Sequence, residues 1–420
     1  MRQPLHRYAI STFEQHITPE LTYFRKEPAL MPSHTRRQLL TALGSTSIAL
    51  AGCLSPSRPS GDFGDVTGTW PMSGRNPGHT RRVASGPTDP KTVWQTDLSQ
   101  VRATGTPAIS AGHLYLPVDA ISDTARHRYR IHALRAATGE ERWQVPLRSE
   151  PNGPPAVRGD HIVVTAKRAL EKGRIIGFQT RYGDEDWLVD IDARLTAPPT
   201  IADGVVYVPD WSGRVHALSV GDGSVRWSHH VDAEAGGRTF TEPVAVLDGT
   251  LYLGSRSGKT GLVALDATTG EKEWVESTRA VTGGPVAHPE GVVVQSHQLV
   301  TAFDTDGTRQ WSFNIPDAGV QQIAVDSQHL YVSAGDTVQA IDWNGEDAWT
   351  YESPGERVGT PTVAGETVLI RSEKRLVAVS RATGDERWST TPGGAGRVIV
   401  TPEAIFSPES DGSVVALGES

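Results

Sequence analysis

Glu242-Pro-Val-Ala-Val-Leu-Asp-Gly-Thr-Leu-Tyr-Leu-Gly-Ser255 and, a few residues on, Gly261-Leu-Val-Ala-Leu-Asp-Ala-Thr-Thr-Gly-Glu-Lys-Glu-Trp274 make up one unit of the fold. Residues 243–246 read as a first short strand, and Asp248-Gly249 as a hairpin turn whose glycine readily takes φ > 0. Thr250–Gly254 reads as a second strand and Leu262–Asp266 as a third. Thr269-Gly270 makes another turn, and residues 273–276 begin the fourth. With 43 Gly and 28 Pro in 420 residues, the chain has turn residues for many such strands.

The unit recurs. Trp143, Trp187, Trp227, Trp274, Trp311, Trp349 and Trp388 are spaced by 37 to 47 residues. Four residues before each stands a glycine: Gly139, Gly183, Gly223, Gly270, Gly307, Gly345 and Gly384. Nine or ten residues before each stands a small residue: Ala133, Gly177, Ala217, Ala264, Ala302, Ala340 and Ala378. Four antiparallel strands per period, repeated in tandem, predict propeller blades. An eight-strand sandwich or a β-solenoid does not explain four strands per period. A tryptophan buries about 150–250 Å² and needs a small partner beneath its ring, so these tryptophans read as structural rather than catalytic.

The ends set the blade number. An eighth unit runs from Arg397-Val-Ile-Val-Thr through Ala404-Ile-Phe-Ser-Pro to Ser413-Val-Val-Ala-Leu, with Ala416 in the motif position, and lacks a fourth strand. Thr92-Val-Trp-Gln-Thr-Asp-Leu98 is a fourth strand without the three that should precede it. Trp94 is therefore expected beside Ala416, closing the ring and removing its open sheet edges. The expected fold is all-β: an eight-bladed propeller of four-stranded antiparallel blades over residues 91–420, its last blade completed by the N-terminal strand.

Ahead of the propeller the chain reads as an address. Arg36-Arg37 is followed by an uncharged apolar stretch over residues 39–51 and then by Leu50-Ala51-Gly52-Cys53. Thirteen residues are too few for a bilayer core of about 30 Å but suit a signal peptide. The arginine pair resembles a Tat export signal, and the segment before Cys53, the sole cysteine, resembles a lipobox. The bland alternative is a buried N-terminal helix with a core cysteine. Residues 1–30 have no place in such a signal and read as a mis-annotated extension, with Met31 the initiator. Residues 31–53 are the signal, and residues 54–90 a Pro/Ser tether and lead-in. The expected location is the outer face of the cytoplasmic membrane, held by a lipid on Cys53.

Charge narrows the partners. The chain carries 40 Lys+Arg against 49 Asp+Glu, and a net-acidic surface argues against nucleic acid. A single cysteine excludes multi-cysteine metal sites and an internal disulfide. His229-His230 lie on a strand, so their side chains point to opposite faces and cannot share a metal there. Arg102, Arg194, Arg238, Arg279 and Arg357 stand four to six residues before Pro107, Pro199, Pro243, Pro285 and Pro361. They read either as polar linkers paired with nearby acids or as a ring of guanidiniums around the axis, offering forks to carboxylate or phosphate.

The Ala-x-Asp-x-x-Thr-Gly-x-x-x-Trp pattern at residues 264–274 resembles the pyrroloquinoline-quinone (PQQ) repeat. Residues 378–388 keep Thr-Gly and Trp with Ser380 for Asp, and residues 177–187 depart furthest, with Tyr182-Gly183 for Thr-Gly. Trp70-Pro-Met-Ser-Gly-Arg-Asn-Pro-Gly-His-Thr80 is similar to the lead-in of BamB-like lipoproteins of this family. The resemblance covers about residues 70–420 and implies eight blades, each tryptophan docking on the next. It implies either a quinoprotein dehydrogenase, with PQQ and Ca²⁺ on the axis, or a non-catalytic relative. The chain lacks the vicinal Cys pair of many dehydrogenases and has no clear Asp/Glu/Asn set for calcium. The expected function is therefore a non-catalytic, membrane-anchored binding scaffold without cofactor or metal. Its expected partner is an extracytoplasmic protein or an anionic ligand, and the expected state is a monomer. The alternative is a PQQ-dependent dehydrogenase-like enzyme.

Overall fold

The computed structural model describes residues 61–98, 101–103, 105–120, 128–231, 239–256, 260–315, 323–391, 397–409 and 411–419. Cys53, the signal, the N-terminal extension and Arg238 lie outside the described residues. The strands assemble into eight antiparallel sheets, each built on four strands. In the fourth blade they are Ala245–Leu247, Thr250–Gly254, Leu262–Asp266 and Lys272–Glu276. The first begins later than the sequence suggests, because Pro243 has no N–H to give a ladder. Innermost strands touch from blade to blade, from Ala108–Ser110 in the first to Thr362–Ala364 in the seventh. One apolar cluster joins the seventh, eighth and first blades through Leu369, Phe406, Trp94 and Leu116.

The eighth blade is the composite one. Ile399–Val400, Ala404–Pro408 and Ser413–Gly418 come from the C-terminus, and Lys91–Asp97 completes the sheet with Trp94 opposite Ala416. The predicted closure is thus observed.

A tryptophan faces its small residue across the outer two strands of every blade, as Ala264 faces Trp274 and Gly177 faces Trp187. Beside that pair the register always slips, at a β-bulge. At Gly177 even an alanine Cβ would collide with the Trp187 ring, which accounts for the motif's departure there. The indole N–H then crosses to a carbonyl of the following blade: Trp94 to Ala136, Trp143 to Thr180, Trp187 to Val220 and Trp227 to Ala267. Trp274, Trp311 and Trp349 do the same to Thr305, Trp343 and Arg381. All seven distances lie between 2.8 and 3.2 Å.

The motif glycine has a second duty beyond its turn. Gly270 has φ +74°, and a Cβ on it would come within 2.7 Å of the Trp227 ring of the preceding blade. Trp388 differs from the others. Among the described residues its indole nitrogen has no hydrogen-bond partner and no glycine lies against its ring.

A second seam runs inside the ring. From Trp70 to Val83 the lead-in follows the axis side of the innermost strands, whose outward-facing amides would otherwise lack acceptors. Trp70 exchanges two bonds with Ile109 of the first blade, and Val157 of the second donates to the Pro71 carbonyl. Val246, Ala287, Val325 and Val363 of blades four to seven donate to Pro77, Gly78, Thr80 and Arg81. Arg82–Val83 then pairs in parallel with the innermost strand of the seventh blade. The third blade is reached by a side chain, with His79 Nε2 3.0 Å from the Thr200 hydroxyl. To follow this curve Arg75, His79 and Arg81 take left-handed backbone, at φ +78°, +59° and +54°. A Cβ on Gly78 would strike the Ala287 carbonyl.

Candidate functional site

The inner seam forms the floor of an axial cavity of about 910 Å³. Ser73, Gly74, His79 and Arg81 supply that floor. The walls come from segments entering the innermost strands, with Asn152 and Glu242, and from the second strands and the turns after them, with Gln295 and Trp211. Most of the lining apart from these is glycine, proline and threonine, small groups that leave the axis open.

His79 is buried between strands, Nδ1 donating to the Ser73 carbonyl at 2.6 Å, with Nε2 2.8 Å from the Val244 carbonyl. Burial lowers its pKa, the two carbonyls oppose that, and neighbouring Arg81 lowers it further. Arg81 itself is 5% exposed. It donates from Nε to Pro361 O at 3.1 Å and from Nη2 to Thr362 Oγ1 at 3.2 Å, with its guanidinium 5.3 Å from the Trp70 ring centroid. No carboxylate pairs with it among the described residues. Burial first, and the positive charge of Arg397 second, push its pKa down to about 9.

Arg102, Arg256 and Arg397 also face the cavity. Of its two carboxylates, Glu242 lies near Arg256 and Arg397, and burial raises its pKa against their pull. Glu409 is committed to Arg371, 3.5 Å away and equally buried, and burial raises its pKa too. Positive charge is therefore in excess.

Of the arginines singled out in the sequence, Arg102 lines the cavity. Arg194 lies 4.0 Å from the ring centroid of Trp211, a wall residue whose indole donates to Thr196 Oγ1 at 2.8 Å. Arg279 and Arg357 are exposed and are not part of the lining. The sequence reading missed Arg81, Arg256 and Arg397, which occupy three different places: the lead-in, the end of a second strand and the entry to a first.

One Ser-His-Asp grouping does assemble. Asp210 Oδ2 is 2.9 Å from His216 Nε2, and Ser228 Oγ 3.0 Å from His216 Nδ1. Asp210 also accepts from Ser212 and from the Arg214 amide, and the trio is absent from the cavity's lining. It acts as a brace between strands of the third blade.

The cavity fits PQQ with its calcium poorly. A divalent cation needs several free oxygens, and here Glu409 is held by Arg371 while Glu242 stands among guanidiniums. Among the described residues no group of three His, Cys, Asp or Glu is placed to hold a metal.

Comparison with known proteins agrees with the propeller fold. The family described as outer membrane protein assembly factor BamB matches residues 80–299 and 296–420. The chain is 21% identical to the outer membrane protein assembly factor BamB of Yersinia pestis over 271 residues, 62% of this chain and 61% of that protein. It thus spans about three-fifths of the length of the curated relatives it matches. The crystal structure of BamB from Moraxella catarrhalis superposes with a TM-score of 0.60 at 18% identity, covering 79% of this chain and 98% of that one. Quinohemoprotein alcohol dehydrogenase from Comamonas testosteroni gives 0.66 at 16% identity, covering 84% and 81%. At such identities the likeness is one of fold alone.

Proposed function

We propose that this chain, which belongs to the family of the outer membrane protein assembly factor BamB, is a non-catalytic scaffold that binds another extracytoplasmic protein. The observation that carries this is the family match across both halves of the propeller, joined to a ring in which seven of the repeat tryptophans are bonded to the following blade. The poor fit of the cavity to calcium supports a reading without a calcium-bound cofactor. A lipid on Cys53 would hold the propeller at the outer face of the cytoplasmic membrane as a monomer, with residues 54–60 as part of the tether. The open end of the cavity, edged by Arg102 and Arg256, suits an acidic partner surface.

Two experiments test this reading. Intact mass of the membrane-extracted protein should show a chain beginning at a lipid-modified Cys53; a free cysteine there removes the anchor. The chain incubated with PQQ and Ca²⁺ should show no dye-linked oxidation of alcohols or aldoses. Turnover with stoichiometric PQQ would replace the scaffold by the dehydrogenase reading.

A further inference from the structure

We propose that the axial cavity is itself a binding site for a small molecule bearing two or more carboxylate or phosphate groups, gripped from below by Arg81. This goes beyond the scaffold reading and does not depend on it, since a protein partner would meet the rim and not the floor.

Three observations converge. Arg81 is buried, lines the cavity and has no carboxylate partner among the described residues, although its Nε and Nη2 are fixed by Pro361 and Thr362. A guanidinium placed so is oriented yet uncompensated, and a bound anion would supply the missing charge through short, charge-assisted bonds. Asn152 offers a second donor: its Nδ2 is buried at the cavity wall without a hydrogen-bond partner among the described residues. Such an orphaned donor is satisfied by a ligand oxygen. The third is the charge balance. Arg102, Arg256 and Arg397 face the same space, and against them stands Glu242, because Glu409 is engaged by Arg371. More than one anionic group is needed to offset that excess. The volume, about 910 Å³, is that of a small-molecule site. Arg81 is contributed by the lead-in, so the site exists only once the inner seam has formed.

Calorimetric titration of the full chain at low ionic strength, with citrate, with pyrophosphate and with glucose, tests this. Saturable one-site binding of citrate or pyrophosphate, without binding of glucose, is expected. Preference for citrate assigns carboxylates and preference for pyrophosphate assigns phosphates. Arg81→Gln should weaken binding by at least about tenfold. Asn152→Ala, which removes a buried donor with no partner among the described residues, should weaken it by about three- to tenfold with an unchanged melting curve. If Arg81→Gln fails to fold, Asn152→Ala decides. The proposal is overturned if neither anion saturates below about 10 mM, or if a folded variant keeps wild-type affinity.

Discussion

The outer and inner seams of the ring join the same blades by opposite means. Outside, a single device is repeated: a tryptophan over a small residue, its N–H on the next blade's carbonyl, the next blade's glycine against its ring. Inside, one continuous segment passes the innermost strands of blades one to seven, accepting an amide from six of them through a different residue each time and meeting the third through a side chain. A repeated device can lose one copy and keep the others. A continuous segment cannot be loosened at one blade without freeing its neighbours, and it also carries the floor of the cavity. The outer seam therefore sets blade number, and the inner seam sets what the axis can hold.

The largest effect should come where one strand serves ring closure. Removing Lys91–Asp97 takes Trp94 and the fourth strand from the eighth blade, exposing sheet edges that template association. The expected result is an aggregating chain without a cooperative melt; a soluble deletion with an unchanged midpoint would mean the ring closes otherwise.

Next come single links of the outer seam. Trp227→Ala removes a buried indole, its bond to Ala267 and its contact with Gly270, and should cost about 3–5 kcal/mol in denaturant unfolding. Trp388→Ala should cost about 1–2 kcal/mol less, because among the described residues that indole meets neither an acceptor nor a glycine. Equal losses would show that the carbonyl bond and the glycine contribute nothing. Gly270→Ala, which meets both a positive φ and the Trp227 ring, should cost about 2 kcal/mol.

The smallest effect belongs to the inner seam and is read through pH. His79 has a lowered pKa in the folded chain, so just below its ordinary value of 6.5 the unfolded chain binds the extra proton and the native chain does not. Stability should therefore fall as pH drops through that window, with His79 contributing up to about 1.4 kcal/mol per pH unit. His79→Gln should flatten the slope just below pH 6.5 in thermal or urea melts. An unchanged slope would show that His79 titrates freely.

The same contrast decides what could be read in the sequence. Trp143 to Trp388 with their glycines announce blades because each position meets the same environment every period. Trp94 and Ala416 reveal closure because each is half of a known unit. The lead-in has no period, and Trp70 to Thr80 is legible only as a resemblance to a family lead-in; that its carbonyls serve amides of the innermost strands follows from distant neighbours that no local pattern encodes. The arginines divide in the same way. Arg102 and Arg194 fell in a window before the first strands and reach the cavity or its wall. Arg279 and Arg357 share the spacing but end on the surface, since spacing along the chain does not fix side-chain direction in an irregular entry loop. Arg81 was invisible because its importance comes from burial without a counter-ion.

The inner seam can be tested most directly by hydrogen exchange of five amides, those of Val157, Val246, Ala287, Val325 and Val363, whose acceptors all belong to residues 71–81. In the intact chain they should exchange only through global unfolding, as slowly as the central strands of their blades. In a chain lacking residues 61–81 all five should lose protection together, while the amides of the outer turns keep theirs. Rapid exchange in the intact chain, or protection that survives the deletion, would contradict a ring held from within.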